Sequence, residues 1–369
     1  MPKDLVSANV YENILVFQIA SLGDTVVSIP TYREIARRHP GANLHFLTNF
    51  PVGQKMVTAE QILAPLNLFS SYVKYPMPLR GASTILELRK SIRELKPQKL
   101  YYLLAETKVP NMMRHFAFFK MCGIPSIEGI PWSQKLRFPL PVIAQQRWES
   151  EASRLLRTIK AERQPGPPPE ADRSLNLAEA ERTKVEAALQ QAGITAPFIA
   201  ISVGGKVPVN NWGDPNWSQL LEGLSCKLPG YGLALVGSND ERARNEALAA
   251  YWAGPKFNTC GLFTPRQTAA LLERAALYIG HDTGTLHLTA AVNTPILGVF
   301  SARNKPGKWF SDRPADRFLY SPLRCMGCEL VEVADCPNGR RCIMDITPKE
   351  VIRNAIAMLI RPDTLALES

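Results

Sequence analysis

Asp282-Thr283-Gly284, followed three residues later by His287, sets a carboxylate, a hydroxyl and a glycine where an apolar run gives way to a helical pattern. The free N–H groups of a helix start favour an anion such as a phosphate, and Gly284 lets the backbone come close to it. Asp282, Thr283 or Thr285 can also simply cap the helix. Ser202-Val203-Gly204-Gly205-Lys206 is a second candidate, because a glycine pair followed by a lysine can hold phosphate. In Gly237-Ser238-Asn239-Asp240-Glu241 the acids suit a ligand's hydroxyls or the first turn of a helix. Ser21-Leu22-Gly23-Asp24 pairs a tight-turn glycine with a carboxylate that can cap a helix or act as a general base. Cys325-x2-Cys328-x7-Cys336-x5-Cys342 gathers four thiols in one Gly- and Pro-containing loop, a donor set that suits tetrahedral zinc or iron. Its second pair is not a Cys-x2-Cys, so unligated thiols remain the alternative.

The elements that must position these residues alternate along the chain. Leu277–Ile279 predicts a strand, 280–285 a turn, Leu286–Val292 a helix and Ile296–Phe300 the next strand. This is a unit of a parallel α/β sheet, which binds ligands beyond the carboxyl ends of its strands. The chain opens in the same way, with a strand at Asn13–Ala20, a helix from about Thr25 to His39, and a strand at Asn43–Thr48. Further helices are predicted at 85–95, 111–121, 148–159, 217–224, 240–251, 264–276 and 348–360. Further strands are predicted at 99–104, 197–203, 232–236 and, in outline, 318–320. Arg163–Arg173, RQPGPPPEADR, excludes a helix and reads as a connector. The expected division is a first domain at 1–165, a connector at 166–174, a second domain at 175–347 and a C-terminal helical segment at 348–369.

Hydrophobic residues make up 46% and charged residues 21%, ordinary values for a soluble globular protein. The absence of an apolar run of 18 predicts no transmembrane helix, and Ile14–Leu22 reads as a core strand rather than a secretion signal, so a cytoplasmic location is expected. A net charge of +10 fits phosphorylated ligands or an anionic membrane surface. With no long Lys/Arg run and no aromatic RNA-binding signature, nucleic acid is not expected as a partner. Cys122, Cys226 and Cys260 read as free thiols.

Asp-Thr-Gly-x-x-His-Leu-x-Ala-Ala at 282–291 resembles the signature of the heptosyltransferase family, glycosyltransferase family 9. The resemblance is concentrated at 14–49 and 276–350. It implies the GT-B architecture, two Rossmann-like α/β domains facing across a cleft, with the C-terminal segment crossing back to the first domain. It implies an inverting, metal-independent transferase with a nucleotide-sugar donor, ADP-heptose in the type case, and a lipopolysaccharide-core or other glycolipid acceptor. Peripheral contact with the inner membrane face would follow. Asp24 matches the family's base aspartate in a motif spanning Ile14–Pro30. Gly23, Gly204, Lys206, Glu241, Asp282, Thr283, Gly284 and His287 fall on the donor side. Asn210 departs from the family's basic residue two positions before a tryptophan, here Trp212, and Lys206 is the candidate substitute. Cysteine-rich tails in part of the family hold iron, so Cys325, Cys328, Cys336 and Cys342 are expected to hold structural zinc or iron, with no cofactor for catalysis. A catalytically silent nucleotide-sugar-binding or scaffold protein of the same fold is the alternative. A sugar-nucleotide epimerase is disfavoured, because no Gly-x-Gly-x-x-Gly follows the first strand.

Overall fold

A computed structural model describes residues 11–51, 57–77, 79, 81–104, 108–159 and 167–360. The chain divides into two compact units, Met1–Leu140 with Glu151–Asp172, and Pro141–Ser150 with Arg173–Ser369.

The first unit is built on β1 (Asn13–Phe17), β2 (Asn43–Pro51), β3 (Ser71–Met77), β4 (Lys99–Tyr102) and β5 (Ser126–Glu128), in the order β3-β2-β1-β4-β5. All four pairings are parallel. A parallel sheet is covered on both faces, so its strands need apolar side chains in succession. Ile14, Leu15 and Val16 of β1 are fully buried. Leu15 and Phe17 join Leu88, Ile92, Met112 and Phe119 of the helices Ala82–Glu94 and Val109–Met121 in one cluster. Among the residues outside that cluster, Tyr32 of the helix Ile29–Arg38 packs edge-on against Phe46 of β2.

The single helix expected from 25 to 39 is two, Leu22–Val27 and Ile29–Arg38. Pro30 lacks the N–H that a continuous helix would use, so the ladder restarts at Ser28. Ser28 Oγ instead donates to Asp24 O at 2.8 Å.

Along the chain the last change of unit falls between Asp172 and Arg173, within the stretch 166–174 expected as a connector, while residues 160–166 lie outside the described set. Asp172 is fixed to the first unit by a bidentate pair with Arg37, at 2.7 and 2.8 Å. The first unit is not continuous, however. Residues 141–150 form a short antiparallel hairpin, β6 (Pro141–Val142) and β7 (Arg147–Trp148), that belongs to the second unit. Trp148 N donates to Pro306 O at 2.8 Å, and Arg147 pairs with Asp312 at 2.7 Å. Trp148 is therefore in a strand, and the helix predicted over 148–159 begins at Glu151.

The second unit carries β8 (Phe198–Ser202), β9 (Gly232–Leu235), β10 (Lys256–Asn258), β11 (Leu277–Gly280), β12 (Ile296–Val299) and β13 (Arg317–Leu319). They are all parallel, in the order β10-β9-β8-β11-β12-β13. Ile199, Ile201, Leu235, Ile279 and Val299 meet Trp217, Leu221 and Leu224 of the helix Asp214–Lys227 in its core. The expectation of a crossing segment over 348–369 meets a helix, Pro348–Leu359, whose Val351 and Ala355 are buried in this unit's own core. Burying a valine contributes about 1.5–3 kcal/mol, so Val351 ties this helix to the second unit. Residues 361–369 lie outside the described set. No helix among the described residues is long and apolar enough to cross a membrane.

In each sheet the first strand is flanked on one side by the next strand and on the other by a later one, β1 between β2 and β4, and β8 between β9 and β11. That reversal opens a crevice at the carboxyl edge, where open α/β sheets bind ligands.

Candidate functional site

In the second unit the crevice between β8 and β11 gathers most of the residues singled out from the sequence. β8 ends at Ser202 and runs into Val203-Gly204-Gly205-Lys206; β11 ends at Gly280 and runs into His281-Asp282-Thr283. A Cβ on Gly205 would lie 3.7 Å from Thr283 Cγ2, so the two loops are in contact range. The helix Gly284–Ala291 starts there with Thr283 at its N-cap position, but the Thr283 side chain caps nothing. Thr283 Oγ1 instead shares a hydrogen bond with Thr285 Oγ1 at 2.8 Å, and Thr285 Oγ1 with Tyr278 OH at 2.9 Å. The N–H groups of Gly284 and Thr285 have no protein acceptor among the described residues. The turn is thus held from below by side-chain hydroxyls, while its backbone donors stay open to an anion.

Glu241 closes the other side. It is the fourth residue of a capping box, its Oε2 accepting from Ser238 N at 2.7 Å and from Ser238 Oγ at 3.1 Å. Its carboxylate lies over Gly204 and Gly237, where a methyl group on either glycine would overlap it. Two strand-end glycines therefore make room for one acid. Asp240 is exposed and takes no part in this packing. Lys206 is exposed beside Gly205 and has no partner among the described residues, so its ammonium is available to a ligand.

The two histidines of the turn differ. His281 is fully buried, with Nδ1 3.0 Å from Val299 O, Nε2 accepting from Trp212 N at 3.4 Å, and its ring edge-on to Trp217. Burial pushes its pKa down to about 4, so it is neutral and ties two loops together. His287 Nε2 lies 3.7 Å from Asp282 Oδ1, and the Asn304 amide lies 3.5 Å from Asp282 Oδ2. Asn210, the departure from the family pattern, is buried and accepts from Ser301 Oγ at 2.5 Å. A neutral side chain fixed in this way supplies no charge, which leaves Lys206 as the basic residue of this loop.

Tyr278 was not singled out from the sequence. It is fully buried, and burial raises its pKa, while hydrogen bonds from Thr285, Thr283 and Ser202 act the other way. A methyl group on Gly280 would overlap its phenol. The signal is the spacing Tyr-x-Gly in a strand: residues i and i+2 share a face, and the glycine leaves room for the ring.

In the first unit the corresponding edge holds Asp24. The sequence left it as a cap or a base. Ser21 is the N-cap, and Asp24 is the third helical residue, closing a capping box. Its Oδ2 accepts from Ser21 N at 2.9 Å and from Ser21 Oγ at 2.6 Å, while Oδ1 has no partner among the described residues. Gly23 is buried in the same turn, and Ala20 N donates to Asn49 Oδ1 at 3.2 Å, which anchors the turn to the end of β2. One carboxylate oxygen is thereby fixed, and the other is left with its lone pairs free to accept a proton.

The four cysteines follow β13, three in the loop and Cys342 in the short helix Arg341–Met344 that closes it. Cys325, Cys336 and Cys342 are half-buried and Cys328 is exposed, all as free thiols. Burial raises the Cys342 thiol's pKa, and Cys336, Cys325 and Cys328 add to the effect. Arg340 N donates to Cys336 Sγ at 3.3 Å and Asn338 Nδ2 to Cys325 Sγ at 3.4 Å. Among the described residues no set of three or more His, Cys, Asp or Glu side chains is drawn together as metal ligands. The donor types fit zinc or iron, but a metal would have to pull the thiols closer. The loop also braces the crevice: Arg340 Nη1 donates to Asn211 O at 2.7 Å, and Gly327 N to Ala302 O at 2.9 Å.

The sequence profile of glycosyltransferase family 9 (heptosyltransferase) matches residues 108–327. Lipopolysaccharide heptosyltransferase 2 of Escherichia coli K12 is 25% identical, over 95% of this chain and 99% of that protein. Among solved structures, a glycosyl transferase family 9 protein from Veillonella parvula superposes with a TM-score of 0.72 at 14% identity, covering 94% of this chain and 97% of that one. The E. coli ADP-heptose lps heptosyltransferase II gives 0.65 at 19% identity, covering 97% and 100%. These likenesses show the fold, the GT-B architecture of two Rossmann-like α/β units.

Proposed function

Because the chain belongs to glycosyltransferase family 9, we propose that it moves a heptose from ADP-heptose to a lipopolysaccharide-core or other glycolipid acceptor, with inversion at the anomeric carbon. The observation that carries this reading is the open helix start at Gly284–Thr285, set between Glu241 and Lys206 at the carboxyl edge of β8 and β11. Backbone N–H groups there suit the donor's diphosphate, with Lys206 adding charge and His287 a hydrogen bond. Glu241 suits the two hydroxyls of a ribose. Asp24 takes the proton of the acceptor hydroxyl through its free Oδ1. As the acceptor's oxygen, not the carboxylate, bonds to the anomeric carbon, the bond from this carbon to the diphosphate breaks, and the diphosphate leaves with the electron pair. The residues at both edges supply these roles without a catalytic metal. The name of the E. coli relative supports ADP-heptose as the donor.

In the cysteine loop, zinc or iron held by Cys325, Cys328, Cys336 and Cys342 would be structural, fixing the loop that Arg340 ties to Asn211. The test of the whole reading is a panel of nucleotide sugars offered with heptose-deficient lipopolysaccharide acceptors. ADP-heptose should be consumed and the acceptor should gain one heptose. Binding of ADP-heptose without any transfer or hydrolysis would favour the silent alternative instead.

A further inference from the structure

The helix Val109–Met121 carries apolar side chains on its inner and outer sides alike. Met112 and Phe119 are buried against the sheet, yet Met113 is 59% and Met121 61% exposed. Phe116, between them, meets Trp132 edge-on at 5.8 Å, and Trp132 is itself 50% exposed. The neighbouring helix Ala82–Glu94 adds Leu86, 59% exposed, and is joined to the first by Arg89 Nε donating to Met121 O at 3.1 Å. Leu86, Arg89, Lys90 and Arg93 line one shallow surface hollow with Glu94. Basic residues rim the apolar strip: Lys108 at the helix N-cap, Arg114 and Lys120 on the helix, and Lys90 and Arg93 on the neighbour, all exposed, with Lys120 Nζ donating to Pro125 O at 2.6 Å. From Lys108 to Arg147 the sequence has six Lys or Arg and one acid, Glu128, which is paired with Lys99. On the neighbouring helix Glu87 and Glu94 are the acids.

We propose that this face of the first unit docks on an anionic lipid bilayer, with Met113, Met121 and Trp132 entering the headgroup–acyl boundary and Arg93 and Arg114 meeting the lipid phosphates. The proposal deepens the acceptor half of the reading above, and rests on it for why a lipid surface matters to this chain. Charge complementarity selects the occupant. A second copy meeting this face about a two-fold axis would set lysines and arginines against their own kind. The buried cores of protein interfaces are depleted in lysine, whereas interfacial anchors combine Trp and aliphatic side chains with a basic rim. The helix also leaves β4, the strand beside β1, so it begins from the same sheet edge as the Asp24 turn.

The experiment is co-sedimentation of the full chain with vesicles of phosphatidylcholine alone, or with roughly one third phosphatidylglycerol. ADP binding is measured by calorimetry on the same preparations. The expected result is binding to the phosphatidylglycerol vesicles only, weakened by added salt. Met113→Glu/Met121→Glu and Arg93→Glu/Arg114→Glu should each weaken it by at least about tenfold. Lys184→Glu/Lys227→Glu, exposed on the second unit, removes the same net charge as the arginine pair and should change it by less than about twofold. ADP affinity and melting temperature should hold in all three. Vesicle binding that all three variants share equally would reduce the effect to net charge and overturn the proposal. So would no vesicle binding by the wild-type chain, or a dimer in sedimentation that Met113→Glu/Met121→Glu disperses. Loss of ADP binding in the wild-type chain would count against the transferase reading and leave the vesicle result to stand by itself.

Discussion

The carboxyl edges of the two sheets share one topology and differ in chemistry. Both lie where a first strand separates an earlier neighbour from a later one. The edge of β8 and β11 is built from absences among the described residues: glycines at 204, 205, 237 and 280, an N-cap side chain that caps nothing, and backbone donors without acceptors. The edge of β1 presents one carboxylate held by its own capping box. The difference teaches that one topology sets where each edge lies, while the loops set what it presents: open backbone donors on the one and a held carboxylate on the other.

The largest expected effect breaks the comparison on the first edge. Asp24→Asn keeps the size and still accepts from Ser21, but cannot take a proton. Transfer should fall about 10²–10⁴-fold in a steady-state assay, with the melting temperature nearly unchanged. A rate close to wild type would reduce Asp24 to the end of a capping box.

The second prediction breaks it on the other edge. Gly204→Ala forces the Glu241 carboxylate out of the space it occupies. Donor affinity should drop roughly tenfold, about 1.4 kcal/mol, while the rate at saturating donor changes less. Isothermal titration with the nucleotide sugar checks this, and an unchanged affinity would remove Glu241 from the donor site.

A third sharpens the role of His281. Its folded pKa, about 4, lies below the unfolded value near 6.5, so the unfolded chain binds the extra proton first. The associated stability is present above pH 6.5 and is lost as the pH falls toward 4, at up to about 1.4 kcal/mol per pH unit. His39, His45 and His115 in the first unit are also shifted down by burial and add to the acid sensitivity. Melting curves of wild type and His281→Gln between these pH values should show a flatter dependence in the variant. Parallel curves would mean that His281 titrates normally.

The smallest effect concerns the cysteine loop. Cys328→Ser should lower the melting temperature by a few degrees and abolish any bound zinc or iron, leaving the rate per folded molecule near normal. Elemental analysis of chelator-free preparations checks the metal, and wild-type protein free of both metals would end the proposal.

Much of this molecule could be read from the chain. The apolar runs at 14–17, 198–201 and 277–279 are buried on both faces, as a parallel sheet requires, so their pattern declared them. The glycines at 280 and 284 marked a turn there, although the helix starts at Gly284 rather than Leu286 and the Thr283 side chain caps nothing. What depended on long-range packing was not visible. The hairpin at 141–150 belongs to the second unit through Trp148, Arg147 and Asp312, contacts more than 150 residues apart in sequence. β10 is three residues long and starts with an exposed lysine, too short for any period to show. Tyr278 looked like one more core residue of a strand, because its hydroxyl matters only where Thr283, Thr285 and Ser202 converge.

The most direct test of the division between the edges is the binding of ADP-heptose, by calorimetry, to Asp24→Asn and Gly284→Val side by side. The account predicts that Asp24→Asn binds as tightly as wild type, within about twofold, and that Gly284→Val, its side chain set where the diphosphate must approach, loses at least about tenfold while melting at a normal temperature. Equal losses in both variants, or full affinity in Gly284→Val, would contradict it.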